Sequence, residues 1–128
     1  MTEKLARISE AEWQVMEVLW DEAPLPSSEI IKRLDPHTNW NPKTIHTLIG
    51  RLVKKKVVGL KNDNPPYLYY PLISREKYSM QETESFIDRV YKGSASMLVA
   101  RFIKGKKLSP EEAKELKELL EEAYDEEK

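Results

Sequence analysis

Apolar residues recur at helical spacing in the first part of the chain. Ser9 and Glu12 form a capping box, the sequence pattern of a helix N-terminus, and apolar residues follow it at intervals of three and four. A second segment begins at Ser27 or Ser28 and ends before Pro36, because the residue preceding a proline is driven out of the helical conformation. The pattern therefore predicts two helices, of which the second has about two turns.

The third segment has the most regular pattern. Asn41 is a favoured N-cap residue, and Pro42 is favoured in the first turn of a helix. The apolar residues after them occupy positions i, i+3, i+4, i+7 and i+8, and they are Ile45, Leu48, Ile49, Leu52 and Val53. We expect this face of the helix to be buried and the opposite face, which carries small and basic residues, to be exposed.

The periodicity changes after Lys56. Residues 57–60 and 67–70 are rich in β-branched or aromatic residues, and the turn-forming residues 62–66 lie between them. This arrangement predicts a two-stranded hairpin with a loop of about five residues.

The second half of the chain is predicted to be helical. Ser74 and Ser109 are favoured N-cap residues, and a short helix is expected from Met97 to Ile103. The order of three helices, a hairpin and further helices is that of a winged helix-turn-helix. The predicted fold class is therefore mainly α, with a winged helix and its small β-hairpin wing in residues 1–73 and a helical region in residues 74–128.

Charge is distributed unevenly, although the net charge of the chain is only −1. The segment from Pro36 to Asn62 contains no acidic residue. Its six cationic residues are Lys43, Arg51, Lys54, Lys55, Lys56 and Lys61. A local field of this kind favours a polyanionic partner such as nucleic acid.

The third helix is suited to the major groove of DNA, because an anchored helix with a narrow exposed face can enter that groove. Threonine can contact base edges or the thymine methyl group, arginine can pair with guanine, and lysine can contact phosphate. The predicted DNA-contacting residues are Asn41, Lys43, Thr44, His46, Thr47, Arg51, Lys54, Lys55 and Lys61. The alternative is that the basic face binds an acidic protein partner.

Other classes of protein are disfavoured. The chain has no cysteine, which excludes disulfides and thiolate metal sites. The longest apolar run, residues 97–100, is too short to span a bilayer, and no secretory signal follows Met1, so we expect a cytoplasmic protein without membrane contact. His37 and His46 are the only histidines, and the segment from Pro36 to Asn62 that contains them has no acidic residue to orient them or share a metal, so we expect no enzyme, metal or cofactor.

Three groups of residues carry a family resemblance. They are residues 8–13 with 16–20, residues 40–52 with Tyr70-Pro71, and residues 98–102 with the helix after Leu108. Together they resemble the penicillinase-repressor (BlaI/MecI) family of winged-helix regulators over nearly the whole chain. The resemblance implies a dimeric repressor whose winged helices bind inverted repeats of TACA/TGTA type. By matched position, Lys43, Thr44, Thr47 and Arg51 would contact the operator.

The last 55 residues present apolar positions on three helices, which short helices cannot bury alone. We expect a two-fold homodimer, with the alternative that these helices fold back on the winged helix of the same chain. The predicted dimerisation residues are Phe86, Val90, Leu98, Phe102, Leu116, Leu119 and Leu120.

The resemblance also bears on regulation. In antibiotic-responsive members of the family, a protease cuts an Asn-Phe bond in the C-terminal half. The matched bond here joins Arg101 to Phe102, which implies a regulatory protease and relief of repression by cleavage. The family often has glycine where this chain has Lys56.

Overall fold

The computed structural model describes residues 7–125. Its elements are α1 (Glu10–Asp21), α2 (Ser27–Leu34), a short 3₁₀ turn (Asp35–His37), α3 (Pro42–Lys54), β1 (Val58–Lys61), β2 (Leu68–Pro71), α4 (Arg75–Tyr91), α5 (Ala95–Lys104) and α6 (Pro110–Ala123). The predicted order of three helices, a hairpin and C-terminal helices is confirmed.

Side-chain caps fix the helix starts where the sequence predicts them. In α1, the hydroxyl of Ser9 accepts from the amide of Glu12 at 3.1 Å, and the Glu12 carboxylate accepts from the amide of Ser9 at 2.8 Å. The same reciprocal pair joins Ser109 and Glu112 at the start of α6. Each pair satisfies two amides that a helix start leaves without a partner.

The hairpin is antiparallel and pairs Val58 with Pro71 and Lys61 with Leu68. Both strands begin one residue later than predicted. Val57 lies between α3 and β1, and its amide donates to the carbonyl of Leu52 in α3 at 3.1 Å. The loop between the strands therefore spans residues 62–67.

The core lies between the first three helices and the hairpin. Four apolar residues of α3 are buried there, together with apolar residues of α1, α2 and β1. Tyr78 at the start of α4 is fully buried, and its hydroxyl accepts from the amide of Ile8 at 2.9 Å. Trp13 and Trp20 pack against the Tyr78 ring, with ring centroids 5.7 and 6.4 Å away. These contacts tie the start of α4 to α1.

The chain divides into two compact units, residues 1–81 and residues 82–128, and the division lies within α4. The first unit contains the core. In the described part of the second unit, residues 82–125, only Tyr91 is buried. The predicted division into a DNA-binding domain, residues 1–73, and a dimerisation domain, residues 74–128, stays a prediction.

No helix within residues 7–125 combines the length and the apolar character needed to cross a lipid bilayer.

Candidate nucleic-acid interface

Helix α3 is buried in the core on one face and exposed on the other. Ile45, Leu48, Ile49 and Leu52 are buried, so the predicted apolar face is confirmed. Val53 at the edge of this face is half-buried. Because the helix is held along almost four turns, its outer face is presented as a rigid surface.

The start of α3 is built by Asn41. Its side-chain oxygen accepts from the amide of Thr44 at 2.8 Å, and its carbonyl accepts from the amide of Ile45 at 3.2 Å. Pro42 has no amide proton to leave without a partner. In the first turn, only the amide of Lys43 therefore remains for a bound anion.

Seven of the nine residues predicted to contact DNA lie on the exposed surface of α3 or at its N-cap. They are Asn41, Lys43, Thr44, His46, Thr47, Arg51 and Lys54. Gly50 lies among them, and a Cβ atom added there would meet no atom within 4 Å apart from its chain neighbours and the backbone of its own helix. The exposed face thus has small side chains in its middle and cationic side chains toward both ends.

Lys55, which is predicted to contact DNA phosphate, forms an ion pair within the chain, and its phosphate contact stays a prediction. Its ammonium group donates to the Glu12 carboxylate at 2.7 Å and to the carbonyl of Arg7 at 2.9 Å. Glu12 is only 1% exposed, so this bond compensates a buried negative charge. Lys55 therefore joins the end of α3 to the start of α1, and we leave it out of the proposed DNA contacts.

Two opposing effects act on the Glu12 carboxyl group. Burial raises its pKa, and hydrogen bonds from Lys55 and Ser9 lower it further than burial raises it. The net pKa lies below the usual value of 4.5, so Glu12 is ionised at neutral pH. The pattern of the sequence did not reveal this pair, because its two residues lie 43 positions apart.

The ninth predicted residue, Lys61, lies exposed at the end of β1. Its ammonium nitrogen is 5.9 Å from the centroid of the Tyr70 ring, which holds it near the hairpin surface. Asn62 follows in a left-handed conformation with φ of 78°, and its side chain donates to the carbonyl of Pro66 at 3.2 Å. The side-chain amide of Asn62 thus stabilises the hairpin loop.

A groove that the sequence pattern does not predict lies between α3 and the hairpin. It has a volume of about 380 Å³ and is lined by His46, Ile49, Gly50, Val53, Leu60, Asn62, Tyr67 and Tyr69. The sequence signal for it was weak, because the lining residues belong to two elements of different periodicity. It borders the exposed face of α3 through His46 and Gly50.

The residues predicted to form a dimer lie on α4, α5 and α6. Phe86, Val90, Phe102, Leu119 and Leu120 are 40–61% exposed, and Leu98 and Leu116 are half-buried. Neither α5 nor α6 buries any residue. An apolar surface of this extent in a single chain is typical of an interface.

The predicted cleavage bond lies inside α5. Arg101 and Phe102 are both exposed, and the Arg101 guanidinium carbon is 5.9 Å from the centroid of the Tyr91 ring. Proteases cut extended and mobile segments more readily than helices. A protease would therefore have to unwind α5 locally to reach this bond.

No group of three or more histidine or acidic side chains placed to hold a metal ion occurs within the described residues 7–125.

Comparison with known proteins gives consistent results. The family model described as "Penicillinase repressor" matches residues 8–122. The chain is 38% identical to the methicillin resistance regulatory protein MecI of Staphylococcus aureus, over 94% of this chain and 98% of that protein. It is 36% identical to the penicillinase repressor of Bacillus licheniformis, over 93% of each chain.

Two solved structures share the fold of the N-terminal part. The DNA-binding domain of the repressor BlaI has a TM-score of 0.53 and 35% identity, covering 60% of this chain and 94% of that one. The Bacillus licheniformis BlaI monomer in complex with the blaP half-operator has a TM-score of 0.51 and 36% identity, covering 59% of this chain and 92% of that one. These matches confirm the predicted winged helix-turn-helix.

The matching family is one of repressors, in agreement with the prediction that the chain is not an enzyme. The family resemblance noted in the sequence is confirmed as well, and this chain belongs to the penicillinase repressor family.

Proposed function

We propose that this chain is a transcriptional repressor that binds a palindromic DNA operator as a homodimer. The observation that carries the proposal is the outer face of α3, which is exposed, free of acidic residues and backed by four buried apolar residues. Support comes from the BlaI protein of similar fold, which is described in complex with a half-operator.

The charge on this surface suits a duplex. Within the described residues 7–125, Lys55 is the only one of the six cationic residues between Pro36 and Asn62 that pairs with a carboxylate. The other five are exposed, and they are Lys43, Arg51, Lys54, Lys56 and Lys61. Cations at both ends of α3 would contact phosphates on either side of the groove, while the small residues between them approach the bases.

The homodimer accounts for the second unit. Among residues 82–125 only Tyr91 is buried, and apolar side chains of α4, α5 and α6 remain exposed. Helices α5 and α6, of 10 and 14 residues, bury no residue, and isolated helices of this length are marginal in water. A second copy supplies a matching apolar surface, and most soluble homo-oligomers are two-fold dimers.

The symmetry of the dimer determines the form of the operator. Two winged helices related by a two-fold axis bind an inverted repeat, with half-sites about one helical turn apart or a small multiple of it. By the family resemblance, we propose half-sites of TACA/TGTA type.

Relief of repression would follow from loss of the link between the two winged helices. Two linked winged helices bind more tightly than one, because the second binds at high effective concentration. Cleavage between Arg101 and Phe102 would remove α6 from the chain and weaken this link. A cell carrying a cleavage-resistant Arg101-Phe102 bond should then stay repressed under inducing conditions, and normal induction would reject the proteolytic route.

A gel shift with the full chain tests operator binding. The probes are a palindromic TACA/TGTA duplex and a scrambled duplex of equal length, each titrated at several salt concentrations. We expect tighter binding to the palindrome and a salt dependence that corresponds to several released counterions. Equal binding to both probes, or no binding, would reject the proposal and leave the protein-binding alternative.

Variants of α3 separate base contacts from phosphate contacts. Arg51→Ala should cost about 1–3 kcal/mol on the palindrome and much less on the scrambled duplex, because arginine pairs with base edges. Lys54→Ala should weaken both complexes equally and reduce the salt slope by about one. Lys114→Ala, which removes an exposed charge on α6, serves as the matched control and should leave binding unchanged.

A further inference from the structure

The groove between α3 and the hairpin has the size and the lining of a small-molecule site. Its volume of about 380 Å³ falls within the range of about 300–1,000 Å³ that is usual for ligand pockets. Its apolar lining comes from Ile49, which is 2% exposed, from the half-buried Val53 and from Leu60, which is 43% exposed. The lining therefore runs from a buried base to an open rim through which a ligand can enter.

Three side chains of the groove carry polar groups without a partner in the chain. Within the described residues 7–125, the ring nitrogens of His46 and the hydroxyl groups of Tyr67 and Tyr69 make no hydrogen bond. Burial and the neighbouring Tyr67 phenol raise the pKa of the Tyr69 hydroxyl above its usual value of 10.0, so this hydroxyl is protonated and able to donate at neutral pH. Asn62 donates one proton of its side-chain amide within the hairpin loop and retains the second. The groove thus offers hydrogen-bond donors beside an apolar lining.

The charge of the groove favours an anion. Of the eight described residues that line it, none is acidic, and six belong to the acid-free segment 36–62. The next residue in the sequence, Asp63, is exposed in the hairpin loop and does not line the groove. A carboxylate accepts hydrogen bonds from phenol, imidazole and amide groups, and such charge-assisted bonds are stronger than neutral ones. An inorganic anion would leave the apolar lining unused, whereas a flat ring packs against aliphatic side chains and tyrosine rings.

We infer that the groove binds a small planar aromatic carboxylate, whose ring lies against the apolar lining and whose carboxylate accepts from the polar side chains. His46 and Gly50 also belong to the exposed face of α3. A bound carboxylate therefore occupies space beside the surface that we propose for DNA, and it should compete with the duplex. This competition rests on the proposed function, whereas binding of the carboxylate itself does not.

Binding is tested with cinnamate and the full chain in the absence of DNA, followed through backbone amide chemical shifts. Cinnamylamine has the same planar body with a positive charge, and the cyclohexyl analogue of cinnamate has the carboxylate with a saturated ring. We expect cinnamate to give saturable shifts around His46, Gly50 and Leu60. Binding should be weaker by about tenfold for the amine, which cannot accept the hydrogen bonds, and by about threefold for the cyclohexyl analogue.

Variants of the groove locate the bound cinnamate. Gly50→Leu places a side chain in the groove and should abolish the shifts, and it should fold because leucine favours a helix more than glycine does. Tyr69→Phe keeps the ring, removes the hydroxyl and should weaken binding about fivefold. Tyr124→Phe removes an exposed hydroxyl at the end of α6 and, as the matched control, should leave binding unchanged.

Four results would overturn the inference. They are the absence of a saturable shift, shifts confined to the exposed apolar residues of α4, α5 and α6, equally tight binding of cinnamylamine, and cinnamate binding that both groove variants leave unchanged.

A gel shift then tests the competition, with the duplex that the full chain enriches from a randomised library. Saturating cinnamate should weaken binding of this duplex to the unmodified chain and leave its binding to Gly50→Leu, if any, unchanged. Unweakened duplex binding by a chain saturated with cinnamate would reject the competition and keep the carboxylate site. A chain that binds cinnamate and enriches no duplex would reject the proposed function alone.

Discussion

Helices α3 and α6 have similar amphipathic patterns and different surroundings. They are 13 and 14 residues long, and each has a side-chain N-cap bond and a proline in its first turn. Helix α3 buries four apolar residues against the first unit, while α6 buries none. Periodicity thus predicts that a helix forms, but it does not tell whether the surface that covers the helix belongs to the same chain.

The largest expected effect lies in the covered helix. Leu52→Ala removes a fully buried side chain of α3 and should lower the free energy of unfolding by about 2–5 kcal/mol. Leu60→Ala on β1, where the side chain is 43% exposed, should change it by about 0.5 kcal/mol or less. Urea unfolding followed by tryptophan fluorescence reports on the first unit, because Trp13, Trp20 and Trp40 all lie there. Equal effects of the two variants would contradict the assigned core.

The next effect concerns the uncovered helix. Leu119→Ala should leave tryptophan-detected unfolding unchanged and weaken dimerisation by about 1.5–3 kcal/mol for each buried leucine lost. Sedimentation equilibrium measures the dimer constant, with Lys114→Ala as the control on a polar position of the same helix. A chain that is monomeric at all concentrations would remove the proposed interface, and loss of the tryptophan transition would show that α6 supports the first unit instead.

The ion pair between Lys55 and Glu12 makes a smaller, pH-dependent contribution to the free energy of unfolding. Lys55→Met leaves the buried Glu12 carboxylate without its cation and should cost about 1–3 kcal/mol at pH 7. The pKa of Glu12 is lowered in the folded chain, so its contribution is present above its usual pKa of 4.5 and is lost as the pH falls through the lower folded value. The stabilities of the two proteins should therefore converge in acid. A constant difference from pH 7 to pH 3 would contradict this role of the pair.

The smallest expected effect is at the end of α3. Lys56 has a φ of 64°, in the left-handed region that favours glycine. Lys56→Gly should raise the free energy of unfolding by about 1 kcal/mol, while Lys54→Gly, two residues earlier and inside the helix, should lower it by about 1 kcal/mol. Urea unfolding measures both, and a loss of stability in both variants would show that the contacts of the Lys56 side chain outweigh its backbone strain.

Local signals predicted most of the fold. The caps at Ser9, Asn41 and Ser109 fixed three helix starts, because each acts through atoms only three residues away. The short helix α5 begins two residues before its predicted start, because the Ser94 side chain caps it by accepting from the amide of Met97. The left-handed Lys56 agrees with the glycine that the family often has at this position.

Contacts between distant residues could not be predicted in this way. The acid-free sequence around Lys55 predicts a cation available to DNA, whereas in the structure Glu12 of α1 pairs with it. The same limit applied to the groove beside α3, which depends on where the hairpin packs. The exposed face of Thr47 and Arg51 was predicted, since it follows from the periodicity of one helix.

Binding of DNA by the outer face of α3 is tested by a titration of the full chain with a palindromic TACA/TGTA duplex, followed residue by residue through backbone amide chemical shifts. We expect the largest changes in α3, between Lys43 and Lys54, and little change in α6. Large changes confined to α6, or an α3 that stays unchanged while the duplex binds, would contradict the claim that the outer face of α3 contacts DNA.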